Sequence, residues 1–145
     1  MTPDVNVMIA ASRSDHPHHP SARAWLEEAI VACESGATLK LLPMVIANFL
    51  RLVTNPKVFN SPTPIGEAVG FIDALQAIGG VEIPALGTEW PMLRQLCLDK
   101  NLHGNDLPDA WLAATVIQLG DHLATFDADF RKLLRPAQLT VLVPA

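Results

Sequence analysis

Five aspartates carry the chemistry this sequence can do. Asp106 and Asp109 stand three residues apart at the start of DLPDAWLAATVIQLG, and Asp127 and Asp129 follow the short apolar run HLATF. Asp4 sits near the beginning, in DVNVMIAA. Carboxylates brought together repel, and at least one is pushed toward protonation unless a cation lies between them. Oxygen-only donors suit Mg²⁺ or Mn²⁺, which bind through a few carboxylates and keep several waters. No zinc-like spacing of His and Cys competes, and neither a Ser-His-Asp arrangement nor a Gly-rich phosphate loop offers another route. A bound ion of this kind can acidify a water molecule. Each acid also has a plainer role open to it. Asp106 can be a helix N-cap with Asp109 completing a box-like start, Asp127 can cap the helix DADFRKLL, and Asp129 can favour that helix's first turn.

These acids need a frame that brings distant segments to one place, and the chain alternates strands with helices in a way that supplies it. Asp4–Ala11 reads as a strand end running into an apolar helical turn, and Ser14–Pro20 as a loop. Ser21 caps a helix to Gly36, Thr38–Leu42 is a strand, and Pro43 starts a helix with Ile46, Phe49, Leu50 and Val53 on one side. Asn55–Pro64 is a proline-rich loop. Ile65–Ile78 is a helix ended by Gly79-Gly80. VEIPAL, HLATF and LTVLV are strands, and TEWPMLRQLCLDKN is a helix. Alternation of this kind predicts a parallel sheet with helices on both faces, a three-layer α/β/α sandwich formed as one domain over residues 1–145. Such folds bind ligands at the carboxyl edge of the sheet. Asp4 and Asp127 at strand ends and Asp109 in the first turn of a helix should all arrive there.

Composition narrows the class. At 145 residues, with half of them hydrophobic and 17% charged, the chain can bury a substantial core. No apolar run approaches the roughly 20 residues that span a bilayer. The start lacks a basic leader, which predicts a cytoplasmic protein. A formal net charge of −5 argues against a simple nucleic-acid binder. A polyanionic substrate therefore requires a bound cation or a local basic patch; Arg51 is the basic residue best placed to reach a phosphate, and a structural ion pair is the equal alternative for it. Cys33 and Cys97 fall on apolar helical patterns and read as small core residues. His16, His18 and His19, separated by prolines, read as a solvated loop. Trp25, Trp90 and Trp111 read as core or dimer contacts.

DVNVMIAA, NFLRLVTNP and NDLPDAWLAA followed by LATFDADF resemble, in order and spacing, the motifs of PIN-domain ribonucleases, specifically the VapC toxins of VapBC toxin–antitoxin modules. The resemblance implies an α/β/α sandwich, Mg²⁺ or Mn²⁺ held by clustered acids, and cleavage of RNA phosphodiesters. It also implies a VapB-type antitoxin whose tail covers the site, and a homodimer. Carried over residue by residue, it makes Asp4, Asp109 and Asp127 the catalytic and metal-binding acids, with Asn6 and Thr125 in support by hydrogen bonding. The family's second acidic position is a Glu; here it is Asn48, whose amide can ligate an ion but adds no charge and cannot act as a base. Asp106 or Asp129 would then make up the deficit. A catalytically silent PIN fold that binds RNA or antitoxin without cutting is the alternative that Asn48 raises.

Overall fold

The computed structural model describes residues 1–144. Its strands are very short and all parallel. β1 (Thr2–Pro3) pairs with β4 (Leu123–Thr125), with Thr2 opposite Leu123, and β4 pairs with β5 (Leu139–Val141), with Leu123 opposite Leu139. A second group pairs β2 (Leu39–Lys40) with β3 (Val81–Glu82). The Lys40 N–H donates to the Met1 carbonyl at 2.8 Å and the Met1 ammonium to the Thr38 carbonyl at 2.8 Å, so the two groups meet along β1 and β2. The resulting order is β3-β2-β1-β4-β5.

Strands of two or three residues cannot hold themselves together, so helices must do it by burial. α1 (Val5–Ser12) and α2 (His19–Glu34) pack on each other, and Val7, Ala10 and Ala22 form a small cluster with Trp25, Phe126 and Leu142. The larger cluster runs from Met8 and Leu26 through Leu39, Leu41 and Leu42 into α3 (Pro43–Val53) and α4 (Ile65–Gln76). It continues into α6 (Asp106–Gln118), against which α5 (Trp90–Lys100) packs. Helices thus flank the sheet in the three-layer α/β/α arrangement that the sequence predicts.

Local chemistry explains most boundaries. Pro43 sits at the start of α3, where its missing N–H costs nothing. α5 stops at Asn101, which turns left-handed at φ 50°. Gly80, at φ 90°, turns the chain from α4 into β3; a Cβ there would stand 2.8 Å from that of Cys33.

Several expectations are corrected. Ser21 is not a cap: α2 begins earlier, at His19, with His18 as its N-cap and Pro20 in the first turn. Proline fits that turn better than a serine cap one residue later. VEIPAL contributes only Val81–Glu82 to a ladder, since Pro84 has no N–H to donate. DADFRKLL forms a 3₁₀ turn at Ala128–Lys132 rather than an α-helix. Of the two roles expected for Trp90 and Trp111, core or dimer contact, the core is excluded, since 60% and 39% of their surface is exposed.

Candidate active site

At the carboxyl edge of β1 the chain turns directly into α1, and Asp4 is the N-cap of that helix. Its Oδ1 accepts the Val5 N–H at 2.7 Å and its Oδ2 accepts the Thr125 hydroxyl at 2.8 Å. Thr125 ends β4, the strand paired with β1, so the hydrogen bond follows from the strand register. With its proton given to Asp4, Thr125 Oγ1 accepts from Asn6 Nδ2 at 3.2 Å and from the Asp127 N–H at 3.0 Å. Asn6 Oδ1 in turn accepts the Phe126 N–H at 3.3 Å. Asn6 and Thr125 thereby fix both Asp4 and the backbone that carries Asp127. Burial raises the Asp4 pKa above its usual value, with the Asp127 charge adding to the rise, and the Thr125 and Val5 hydrogen bonds restrain it.

Asp127 leaves the end of β4 as the N-cap of the 3₁₀ turn, its Oδ1 accepting the Asp129 N–H at 2.9 Å. The capping role and a place beside Asp4 coexist, because one carboxylate has lone pairs enough for both. Asp109 lies in the first turn of α6 and is half-buried. Its pKa is pushed up to about 6, first by burial and then by the negative charges of Asp4, Asp127, Asp129 and Asp106. The structure thus gathers the five sequence-nominated acids around Asp109. Asp106 is not the N-cap of α6, which is Asn105; it occupies the first helical position, and its carboxylate accepts the His103 N–H at 3.1 Å.

A cleft of about 550 Å³ opens over this edge, lined by Asp106, Asp109 and Asp129 together with Asn105, Lys100 and Lys132. The two lysines were missed by the sequence reading. Lys132 lies three residues after Asp129 and only the 3₁₀ turn brings it round, while Lys100 arrives from the end of α5. Asn48 lies elsewhere, in an apolar groove of about 380 Å³ with Met44, Leu93, Leu107, Pro108 and Trp111. Arg51 is exposed and donates from Nη2 to Asn48 Oδ1 at 3.3 Å. Trp111 is held at the groove by its indole N–H, which donates to the buried Glu89 at 3.0 Å.

The histidines of the first loop are used locally. His19 Nδ1 lies 2.7 Å from the Ala10 carbonyl, His16 Nδ1 accepts the His18 N–H at 3.0 Å, and His18 stacks on Phe126.

Among the described residues, no three Asp, Glu, His or Cys side chains stand close enough, as placed, to hold an ion. The donor chemistry nevertheless fits a hard divalent cation. Burial and then the charges of Asp4, Asp127, Asp129 and Asp106 raise the pKa of half-buried Asp109, a conflict that a cation relieves, and the exposed His103 Nδ1 lies 3.7 Å from the Asp106 carboxylate.

Comparison with known proteins identifies the family. The PIN domain family model matches residues 1–135. Ribonuclease VapC31 of Mycobacterium tuberculosis is 39% identical over 132 residues, covering 89% of each chain. Ribonuclease VapC25 of the same organism is 35% identical over 130 residues, again covering 89% of each. A chain of the crystal structure of VapBC2 from Rickettsia felis, bound to a DNA fragment from their promoter, superposes with a TM-score of 0.65. It covers 98% of both chains at 18% identity, a likeness of fold alone. A family model matching residues 1–135, and relatives 39% and 35% identical with 89% of each chain covered, leave one assignment: the chain belongs to the PIN-domain family and, within it, to the VapC ribonucleases.

Proposed function

We propose that this chain is a Mg²⁺- or Mn²⁺-dependent endoribonuclease, folded as one PIN domain, and the toxin of a type II toxin–antitoxin pair. The observation that carries the reading is that the charges of Asp4, Asp127, Asp129 and Asp106 all act on Asp109 at the sheet edge, where Asp109, Asp106 and Asp129 share a cleft with two lysines. Asp4, Asp109 and Asp127 would hold the ion, and Asn6 and Thr125 would keep Asp4 in place. A bound divalent ion supplies Lewis acidity toward the phosphate and acidifies water for attack on phosphorus. The protein's own part is positioning. Thr125 and Val5 fix both oxygens of Asp4, so its direction is set before any ligand arrives. Lys100 and Lys132 meet the backbone phosphates at the rim, the local basic patch that a chain of net charge −5 needs.

As partners we propose a VapB-type antitoxin, an RNA substrate and a second copy of the chain. No helix of the described residues is long and apolar enough to cross a membrane, and we place the protein in the cytoplasm. The test is incubation of partner-free protein with structured RNAs in Mg²⁺ or Mn²⁺, against EDTA and an Asp109→Asn variant. Discrete cleavage that needs metal and is lost in the variant supports the proposal; intact RNA throughout, with the protein folded, refutes it. Asn48 favours the second reading, a silent PIN fold that binds RNA or antitoxin. A large gain of cleavage in Asn48→Glu would support it.

A further inference from the structure

β4 ends at Thr125, whose carbonyl accepts the Leu142 N–H at 2.7 Å. Phe126 and Asp127 follow the last paired residue of the strand, so the direction of the Asp127 carboxylate depends on what holds Phe126. Two hydrogen bonds act on the backbone there: the Phe126 N–H donates to Asn6 Oδ1 at 3.3 Å and the Asp127 N–H to Thr125 Oγ1 at 3.0 Å. The first is long for its kind. The phenyl ring supplies further hold. It packs on the cluster of Val7, Ala10 and Ala22, and the His18 ring stacks on it with centroids 4.9 Å apart and planes inclined by 29°.

The loop SDHPHHP is arranged to hold the His18 ring in that place. His19 Nδ1, 2.7 Å from the Ala10 carbonyl, ties the start of α2 to α1. The His18 N–H donates to His16 Nδ1 at 3.0 Å, the His16 ring tilts against that of His18 at 5.5 Å, and the His18 carbonyl accepts the Ala22 N–H at 3.0 Å. His18 stands at the N-cap of α2, yet its side chain makes no capping bond. Its Nδ1 is buried with no hydrogen-bond partner among the described residues. A polar atom left this way works against the fold. The ring is therefore placed for what its face does, and its face lies on Phe126, where an aromatic pair stabilises beyond the area it covers.

We propose that His18 is a positioning residue: its ring pins Phe126 and, through Phe126, fixes the Asp127 carboxylate at the sheet edge. For its effect on cleavage the proposal rests on the nuclease reading above; for its effect on Asp127 it rests on geometry alone. His18 acts through Phe126 and needs no contact with substrate or ion.

The test compares the whole, partner-free natural chain with His18→Ala and His18→Phe. Position 18 is half-buried where a loop meets a helix, and phenylalanine keeps a ring there without the stranded nitrogen. Amide hydrogen exchange, read by NMR without metal, should be roughly two- to tenfold faster at Phe126, Asp127 and Asp129 in His18→Ala, the range to which loss of one aromatic pair converts. The Asp4 amide, which donates to the Ala124 carbonyl at 2.8 Å within the sheet, should keep its rate. With an RNA oligonucleotide and saturating Mn²⁺, His18→Ala should lose about tenfold in kcat with KM little changed, short of the roughly hundredfold that a 1 Å misplacement can cost. His18→Phe should restore both kcat and amide protection. Faster exchange confined to the start of α2, faster exchange at Asp4 as well, an unchanged kcat in His18→Ala, or a loss that His18→Phe fails to restore would each overturn the proposal and leave the nuclease reading intact. If the natural chain leaves RNA intact, the nuclease reading falls, and the amide comparison alone decides whether His18 positions Asp127.

Discussion

Asp121 sits at the opposite edge of the sheet from the candidate site, yet it sets the register on which that site depends. Its Oδ2 accepts from the Met1 ammonium at 2.8 Å, from Lys40 Nζ at 2.9 Å and from the Thr2 hydroxyl at 3.1 Å, while Oδ1 accepts the His122 N–H at 2.8 Å. One carboxylate thus ties the starts of β1 and β4 to the end of β2. Its side chain is only 8% exposed, and burial alone would raise its pKa. The hydrogen bonds from the ammonium, Lys40 and the backbone win, and hold it at about 2 against an ordinary 3.8. That gap converts to about 2.4 kcal/mol of stability at neutral pH. A depressed carboxylate contributes above its unfolded pKa and loses the contribution as pH falls through its folded one. Asp121→Asn should therefore cost about 2 kcal/mol at pH 7, lowering Tm by roughly 4–8 °C for a chain of this size. The difference from the natural protein should shrink between about pH 4 and pH 2, the window set by the two pKa values. Urea denaturation across that range measures it, with Lys40→Met alone and in combination closing a double-mutant cycle. A cost below about 0.5 kcal/mol at pH 7, or one that persists undiminished into acid, would refute the argument.

The remaining predictions concern the site and its supports. Asp109→Asn removes a charge crowded by four others, so in EDTA the variant should be more stable than the natural protein at pH 7.5, by about 1 kcal/mol once solvent screening is allowed for. The sign follows from a raised carboxylate pKa, whose cost is absent below 3.8 and complete above about 6. Mg²⁺ should raise the Tm of the natural chain and leave the variant's unchanged, since a ligand stabilises only the fold that binds it. Thr125→Val strips Asp4 of its donor and Asn6 and Asp127 of an acceptor; it should cost about 2 kcal/mol in denaturation and at least about tenfold in cleavage, with Thr125→Ser restoring most of both. Arg13 is buried, pairs with Asp15, donates to Thr63 and the Ser61 carbonyl, and stacks over Phe59. Arg13→Met should cost about 2–4 kcal/mol in urea unfolding, because it releases the proline-rich loop from the end of α1. Lys132→Ala should raise KM and flatten the salt dependence of KM by about 0.7 while Mn²⁺ binding is unchanged.

What could be read from the sequence was whatever rested on alternation and on residue type. Strand–helix alternation implied the parallel sandwich, and the sheet-edge rule assigned Asp4, Asp109 and Asp127 to one edge of it. Asp121 escaped because its partners are Met1, Thr2 and Lys40; no local pattern announces a pairing across 81 to 120 residues. Lys100 and Lys132 escaped for a related reason, since their approach depends on a left-handed Asn101 and on a 3₁₀ turn where the pattern suggested an α-helix. Of the two readings of Trp90 and Trp111, core or dimer contact, the core half fails because apolar periodicity cannot distinguish burial within a chain from apolar surface. Asn48 was readable as a departure, and its consequence was not: that it lines the apolar groove depends on how α3 faces α6.

An acidic chain that handles a polyanion has to put its few positive charges where they act. Lys100 and Lys132 share the cleft with Asp106, Asp109 and Asp129, Arg51 bonds to Asn48 at the apolar groove, and the ten basic residues otherwise show no run. Without a cation the carboxylates would oppose RNA binding, so ion and substrate should bind with positive coupling. By linkage the effect is reciprocal, and RNA should tighten Mn²⁺ binding by the same factor as Mn²⁺ tightens RNA. Asp109→Asn should weaken that coupling by removing the central charge. If RNA and Mn²⁺ bind independently in the natural chain, the carboxylates are not facing the phosphate, and the sheet edge is not the place where RNA is held.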